Sequence, residues 1–434
     1  MESKNIFVIG LDPFNETLLR GLPNADHYRF YDLLGYREAI RPTSRQIDLD
    51  ELLTKAEERL STFEGHVDAI IGYWDFPCSV IGPILRQRHG LPAPRLEAVA
   101  ACEHKYWSRL EQRRVLPEMV PQFRAVDPFA SDPLSNMDLP FPFWLKPIKA
   151  HSSFLGFKIE NKGDLEACLP IIRSEIGHFG QPFDTFLAMV ETPEEVASIG
   201  GHYCIAETII SQGEQCTLEG YAHAGEVAVY GVVDSIRTGQ YQSSFSRYQY
   251  PSRVPKSVQN RMIEAAKQFI QQIGYDCAPF NMEFFWEPRT DVLSILEVNA
   301  RISKSHCPVF KMVDGVSHQQ VAIDLALGQR PNPPYRKGPF PLAAKFMERV
   351  FEDGVVVTIP SAENLATFHE GFPDAMLRIL IHEGQRLAHL PYQDSYSFEI
   401  AEIFLGAETE TALLEKHRAV LEILPFKFEE GALH

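Results

Sequence analysis

Residues 294–310 read SILEVNARISKSHCPVF, and they leave an apolar run through Glu297, Asn299 and Arg301, a carboxylate, an amide and a guanidinium at every second position. Successive side chains of a strand point to opposite faces, so these three share one face. Just upstream, FNMEFFW (280–286) is a second strand candidate, with EPRTD (287–291) as the loop of a hairpin. With that loop, Trp286 pairs with Val292 and Glu283 lies opposite Ile295, one diagonal step from Glu297. Glu283, Glu297, Asn299 and Arg301 then project together, while Met282, Phe284, Leu296 and Val298 enter the core. Two carboxylates and an amide oxygen are hard ligands suited to Mg²⁺, and Arg301 offers planar donors to an oxyanion. A solvated polar face on a hairpin would carry the same alternation.

The rest of the chain bounds what such a face could serve. At 434 residues it exceeds the size of one core, so several packed subdomains are expected; 45% hydrophobic and 23% charged residues are ordinary for a globular protein. A formal charge of −17 argues against nucleic acid or an anionic membrane as the main partner. The start MESKNIFVIG lacks the pattern of a secretory signal, no apolar run has the length of a membrane span, and the seven cysteines form no CxxC pair. A cytoplasmic protein with reduced, buried thiols is the expectation.

Along the chain, IFVIG, the amphipathic DPFNETLLRGL and the strand candidate VDAIIGYWDFP outline a small α/β domain over 1–95. Its first turn offers Gly10 but no GxGxxG. Pro92, Pro94 and a small-residue run lead to the amphipathic EHKYWSRLEQRRVL, which opens a second domain over 96–330, with lobes 96–205 and 206–330. The proline-rich 127–142 reads as loop, followed by the strand FWLKPI. HYCIAETII is the next strand candidate, and QCTLEGYAHAGEVAVYGVVDS reads as two strands turning at His223–Gly225. VQNRMIEAAKQFIQQIG is a helix stopping at Gly274, and VSHQQVAIDLALG is another. Residues 331–434, with short strand candidates after Pro339, form an added α+β portion.

MEFF and ILEVNAR together resemble the paired metal-binding signature of the ATP-grasp superfamily, in the carboxylate–amine ligase branch that includes biotin-carboxylase-like and amino-acid ligases. The resemblance covers about residues 1–330, and it implies an ATP-grasp fold of mixed α/β and α+β class preceded by a Rossmann-like domain. It implies Glu283, Glu297 and Asn299 as ligands of two Mg²⁺ ions, which Mn²⁺ could replace, and Arg301 as the residue that steadies an acyl phosphate or tetrahedral intermediate. Lys105 resembles the lysine that begins the first helix of the central domain, with His104 where the family has aspartate; Lys146 resembles the strand lysine at the α and β phosphates. KAHSSFLGFKI occupies the place of the phosphate-covering loop, with Ser152, Ser153 and Gly156 suited to it and Phe154 and Leu155 bulky for it. AETIISQGEQ resembles the adenine hinge: the backbone of Glu207, Thr208 and Ile210 for the base, and Glu214 for the ribose hydroxyls.

What this resemblance implies is an ATP-dependent ligase that activates a small carboxylic acid, an amino acid or peptide precursor, and joins it to an amine, releasing ADP and phosphate. Arg247, Ser303, Ser305 and His306 are candidate substrate contacts, each equally at home in an ordinary polar loop. A homodimer is left open. Two other readings compete: a biotin-carboxylase type of carboxylase, against which the shortage of glycine before Gly156 counts, and a non-catalytic ATP-binding module.

Overall fold

The structure, a computed structural model, describes residues 3–40, 47–135, 137–151, 154–210, 213–237, 244–390 and 397–430. The chain opens on a parallel sheet of order β2-β1-β3, made of β1 (Lys4–Ile9), β2 (Tyr28–Leu34) and β3 (Ala69–Gly72). Its connections carry α1 (Pro13–Arg20), the short α2 (Tyr36–Ala39) and α3 (Leu49–Ser61), and α4 (Cys78–Arg88) follows. Ile6 to Ile9 are all buried, as befits a parallel strand covered on both faces. α1 begins where the Asp12 carboxylate accepts the N–H groups of Phe14 and Asn15 at 3.0 and 3.1 Å.

The small-residue run beyond Pro94 is itself a helix, α5 (Leu96–Glu103), buried from Ala98 to Glu103. α6 (Lys105–Val115) starts directly after it, because His104 takes an extended conformation (φ −89°, ψ 99°) and caps the new helix. The His104 Nδ1 accepts the Trp107 N–H at 3.1 Å, and its Nε2 lies 2.8 Å from the Ile199 carbonyl. The carbonyl accepts only if Nε2 carries the proton, and the cap works only if Nδ1 does not, so the two bonds select the neutral tautomer. His104 thus does the work an aspartate would do at that position. Burial holds its pKa down to about 4.

An antiparallel sheet of order β4-β7-β5-β6 follows, from β4 (Phe123–Val126), β5 (Phe143–Pro147), β6 (Phe157–Ile159) and β7 (Cys204–Thr208). α7 (Lys162–Glu175) covers it with Leu165, Leu169 and Ile172 against Phe143, Leu145 and Ile159, and α8 (Gly177–Leu187) comes next. The described part of 127–142 is loop and turn, as its prolines predict. β8 (Glu214–His223) and β9 (Glu226–Arg237) join at Ala224 and Gly225, both at positive φ. β10 (Phe245–Tyr250), α9 (Lys256–Gln272), β11 (Ala278–Glu287) and β12 (Val292–Asn299) follow, then α10 (Cys307–Asp314) and α11 (Gln319–Ala326). The C-terminal portion is α+β: β13 (Leu342–Val350), β14 (Gly354–Thr358), α12 (Ala362–Gly371), β15 (Met376–Ile379), β16 (Phe398–Ala407), α13 (Glu410–Ile423) and β17 (Lys427–Glu430).

The chain divides into two units, one of Met1–Tyr230, Val254–Lys304 and Gln319–Asn332, the other of Gly231–Arg253, Ser305–His318 and Pro333–His434. The first holds the order β12-β11-β8, with β9 starting beside β8; the second holds the end of β9 followed by β10-β13-β16-β15. A core in the second unit gathers Phe346, Phe368, Ile403, Leu405, Leu413 and Val420. Among the described residues no helix is long and apolar enough to cross a membrane, and all seven cysteines are free thiols.

The β11–β12 hairpin departs from the expected register. Glu287 pairs with Val292 and Trp286 with Leu293, so the loop is Pro288–Asp291, one residue tighter. Asp291 closes it at φ 53° and accepts the Trp286 indole N–H at 2.8 Å. A β-bulge then inserts one residue of β12, and Glu283 comes to lie opposite Glu297 itself rather than opposite Ile295. The bulge also settles which residues are core: Leu293, Ile295 and Val298 are buried, while Leu296, the extra residue, is only half-buried. Strict alternation would have put Ile295 on the face of Glu297.

The His104 cap carries a pH signature. An unfolded imidazole gains its proton below about 6.5, the folded one only below about 4. Stability present above the first value is therefore lost as pH falls toward the second, by at most roughly 3.5 kcal/mol at about 1.4 kcal/mol per unit. His104→Asn keeps a capping acceptor and removes that titration. Thermal melts between pH 8 and 4 should show wild type losing melting temperature faster than the variant; parallel curves would contradict the capping role.

Candidate active site

β8, β11 and β12 set three polar rows side by side on one face. Thr217 pairs with Glu283 and Glu283 with Glu297; one step along, Glu219 pairs with Asn281 and Asn281 with Asn299. Gln215, next on β8, donates to the Glu283 Oε2 at 2.8 Å. The Asn299 amide donates to the Asn281 Oδ1 at 2.9 Å, which turns its own Oδ1 away from Asn281, and Asn281 donates to the Arg301 carbonyl at 3.1 Å. Glu219 is fully buried and accepts the Ser303 N–H at 3.3 and 3.4 Å. Glu219, Asn281 and Gln215 escape a reading centred on the EVNAR run. The signal for them is the alternation Gln215, Thr217, Glu219 in an otherwise apolar strand.

Two carboxylates directly opposite each other on neighbouring strands repel unless a cation lies between them. Glu283, Glu297 and the Asn299 amide oxygen therefore form a donor set that fits a hard divalent ion completed by water and phosphate oxygens. Among the described residues no group of three or more His, Cys, Asp or Glu side chains gathers as a metal site.

Cations approach this face from the first lobe. The Lys105 Nζ donates to the Ala150 carbonyl at 2.7 Å. Burial lowers its pKa to about 8; the nearby Glu297 opposes that shift, and the Lys149 and Lys146 charges add to it. Lys146, Lys149 and Glu297 thus all act electrostatically on Lys105. Lys146 pairs with the buried Glu207 at 2.7 Å, and Lys149, which the sequence reading passed over, pairs with the buried Glu103.

Glu207 also accepts the Arg109 Nε at 2.6 Å. Burial pushes its carboxyl up, but Arg109 and Lys146 outweigh that and hold it near 2. The remaining Arg109 donors reach Gln112 at 2.7 Å and the carbonyls of Ile295 and Leu296, each at 2.8 Å. Those two carbonyls flank the bulge. One guanidinium therefore ties the strand of the expected base hinge to the strand of the expected metal site.

The other sequence-predicted residues are placed as follows. Thr208 is held in the first-lobe sheet, its N–H donating to the Gln122 carbonyl at 2.9 Å. Ile210 is half-buried just beyond β7, and Glu214 is exposed at the start of β8, paired with Trp286. Gly156 precedes β6, next to Leu155 at φ 55°; Ser152 and Ser153 lie outside the described residues. Arg301 donates to the Asp75 carboxylate through Nε and Nη2 at 2.9 and 2.5 Å. In the second unit, Arg247 is ion-paired with Glu410, Ser305 lies 3.4 Å from the Lys345 Nζ, and the buried His306 meets the Tyr248 ring edge-on.

The architecture resembles solved structures over nearly its full length. An L-amino acid ligase from Bacillus licheniformis matches with a TM-score of 0.74 at 14% identity, covering 99% of this chain and 100% of that one. A biotin carboxylase from Campylobacter jejuni, crystallised as a β,γ-ATP complex, matches with a TM-score of 0.64 at 15% identity, covering 99% and 93%. The fold is the ATP-grasp fold. Residues 247–332 match the family described as the carbamoyl-phosphate synthase L chain ATP-binding domain. A 143-residue stretch is 30% identical to the carbamoyl phosphate synthase large chain of Thermus thermophilus; it makes up 32% of this chain and spans 13% of that relative's length.

Arg109 yields a stability prediction. Arg109→Met leaves buried Glu207 without one of its two ion-pair partners among the described residues and withdraws a donor from both bulge carbonyls, and it should cost about 3–5 kcal/mol. Arg109→Lys should recover little of this, because one ammonium cannot reproduce the planar fork. Urea unfolding monitored by tryptophan fluorescence measures both; a loss under about 1 kcal/mol for the methionine variant would refute the clamp.

Proposed function

We propose that this protein is an ADP-forming carboxylate–amine ligase whose acyl donor is an amino acid. The observation that carries the reading is the direct pairing of Glu283 with Glu297 beside Asn299, facing Lys105 and next to Arg301. Such a face suits a triphosphate with divalent ions on its outer phosphates. The likeness of the fold to an L-amino acid ligase supports the choice of acyl donor.

In this reading Glu283, Glu297 and Asn299 would hold two Mg²⁺ ions, which would supply charge neutralisation to the outer phosphates. Lys105 and Lys146 face the phosphates, Gly156 belongs to the segment covering them, the backbone of Glu207, Thr208 and Ile210 meets the adenine, and Glu214 meets the ribose. An oxygen of the substrate carboxylate attacks the γ phosphorus, the bond to the β–γ bridging oxygen breaks, and ADP leaves. The product is an acyl phosphate. The amine nitrogen then attacks its carbonyl carbon, phosphate departs with the C–O electron pair, and the nitrogen releases its extra proton. Arg301 steadies the oxyanion through both steps. No protein nucleophile is required, because activation resides on the substrate. Ser303, two residues beyond Arg301, remains a candidate contact to the substrates.

Hydroxylamine intercepts an acyl phosphate as a hydroxamate, so an amino-acid screen with ATP, Mg²⁺ and hydroxylamine tests the reading. Wild type should give a hydroxamate with at least one amino acid, and Glu297→Gln and Glu283→Gln should each lower the rate by at least about a hundredfold. Bicarbonate-dependent ADP release without any hydroxamate would overturn it.

A further inference from the structure

Asp75 lies three residues beyond the end of β3, in the loop that leads into α4. Its Oδ1 receives both Nε and Nη2 of Arg301, a residue 226 positions away. No described residue hydrogen-bonds its Oδ2. The Arg301 charge holds the Asp75 carboxyl well below the usual carboxylate range despite its burial, with His151 and Lys149 acting in the same direction.

Three acids act electrostatically on Arg301: Asp75, Glu103 and Glu219. Two of them are sealed. Glu103 keeps 4% of its side chain exposed and is taken by Lys149, whose ammonium lies 5.5 and 5.9 Å from the ring centres of Phe76 and Phe183. Glu219 is fully buried on the Ser303 N–H. Asp75 keeps 35% of its side chain exposed and Arg301 keeps 14%. A ligand that reaches the Arg301 guanidinium therefore meets Asp75 too. Lys304 closes the same neighbourhood, its ammonium 4.6 Å from the Trp74 ring centre.

A simple carboxylate that took the Arg301 fork would strip Asp75 of its partner and leave a half-buried charge unpaired, which is unfavourable. A zwitterion exchanges the pair instead. Its carboxylate goes to the guanidinium, its ammonium goes to Asp75, and no net charge is added.

We propose that Asp75 is the specificity-determining residue of the acyl-donor subsite, receiving the α-ammonium of the amino acid whose carboxylate lies against Arg301. This rests on the ligase reading above. It has a chemical consequence: an α-amino group held as an ammonium has no free electron pair, so the donor cannot attack its own or another acyl phosphate. The amine that attacks must come from the second substrate.

The test compares each amino acid with its desamino acid, alanine with propionate and phenylalanine with 3-phenylpropionate among them, in hydroxamate formation by the full-length protein. Wild type should favour the amino acid by at least about a hundredfold in kcat/KM. Asp75→Asn should erase that preference from both sides, raising the KM of the amino acid and lowering that of the desamino acid, whose carboxylate no longer leaves a charge unpaired. Asp75→Glu, which keeps the charge, should recover part of the preference. A merely structural Asp75 would lower both acids alike, and that result overturns the proposal. Should neither variant fold, as read by circular dichroism, wild type still decides: equal turnover of amino and desamino acids overturns the ammonium contact. Wild type that activates no amino acid at all overturns the ligase reading itself, a distinguishable outcome.

Discussion

The site is organised around one buried guanidinium. Arg109 neutralises Glu207 on β7 and takes the carbonyls of Ile295 and Leu296 on β12. Arginine suits this because its donors diverge in a fixed plane and its charge persists in a buried setting. Those donors hold the carbonyls on either side of the bulge, and buried carbonyls favour such pairing. The bulge in turn puts Glu297 opposite Glu283 and sends Ile295 to the core. The spacing of the acid pair thus depends on a residue of α6.

Charge is handled locally, against the grain of the whole chain. A protein with a formal charge of −17 gathers Lys105, Lys146 and Lys149 near its acidic face and ties the last two to Glu207 and Glu103. The effect on Lys105 is visible: burial and two neighbouring ammonium groups lower its pKa to about 8, with Glu297 the main opposing charge. An anionic ligand would find these cations already positioned, so little reorganisation is needed on binding.

His104 and Asp75 illustrate how one chain fills roles with its own residues. Where the superfamily resemblance calls for aspartate before Lys105, a neutral histidine serves as cap, because an imidazole nitrogen accepts a hydrogen bond as a carboxylate oxygen does. Asp75 brings the loop after β3 into contact with Arg301 and so makes the N-terminal α/β domain part of the candidate site.

Much of the fold was legible in the sequence because periodicity and turn chemistry are local. The strand β1, the helix α9 with its stop at Gly274, the β8–β9 turn and the loop character of 127–142 all follow from the residues themselves. The Glu-x-Asn-x-Arg run was equally plain, since polar side chains at every second position of an apolar strand need a face of their own. The helices α7 and α8 were not read, their apolar spacing interrupted by Pro170 and Pro182. The register of the β11–β12 hairpin, the bulge at Leu296, the Lys149–Glu103 pair and the Asp75–Arg301 pair were not legible at all. Each depends on partners separated by tens to hundreds of residues, and no local pattern encodes such a partner. Local pattern alone specifies which side chains share the polar face of β11 and β12; contacts between distant residues set how they meet, because hydrogen bonds across the fold, rather than local propensity, hold the bulge and orient the charges.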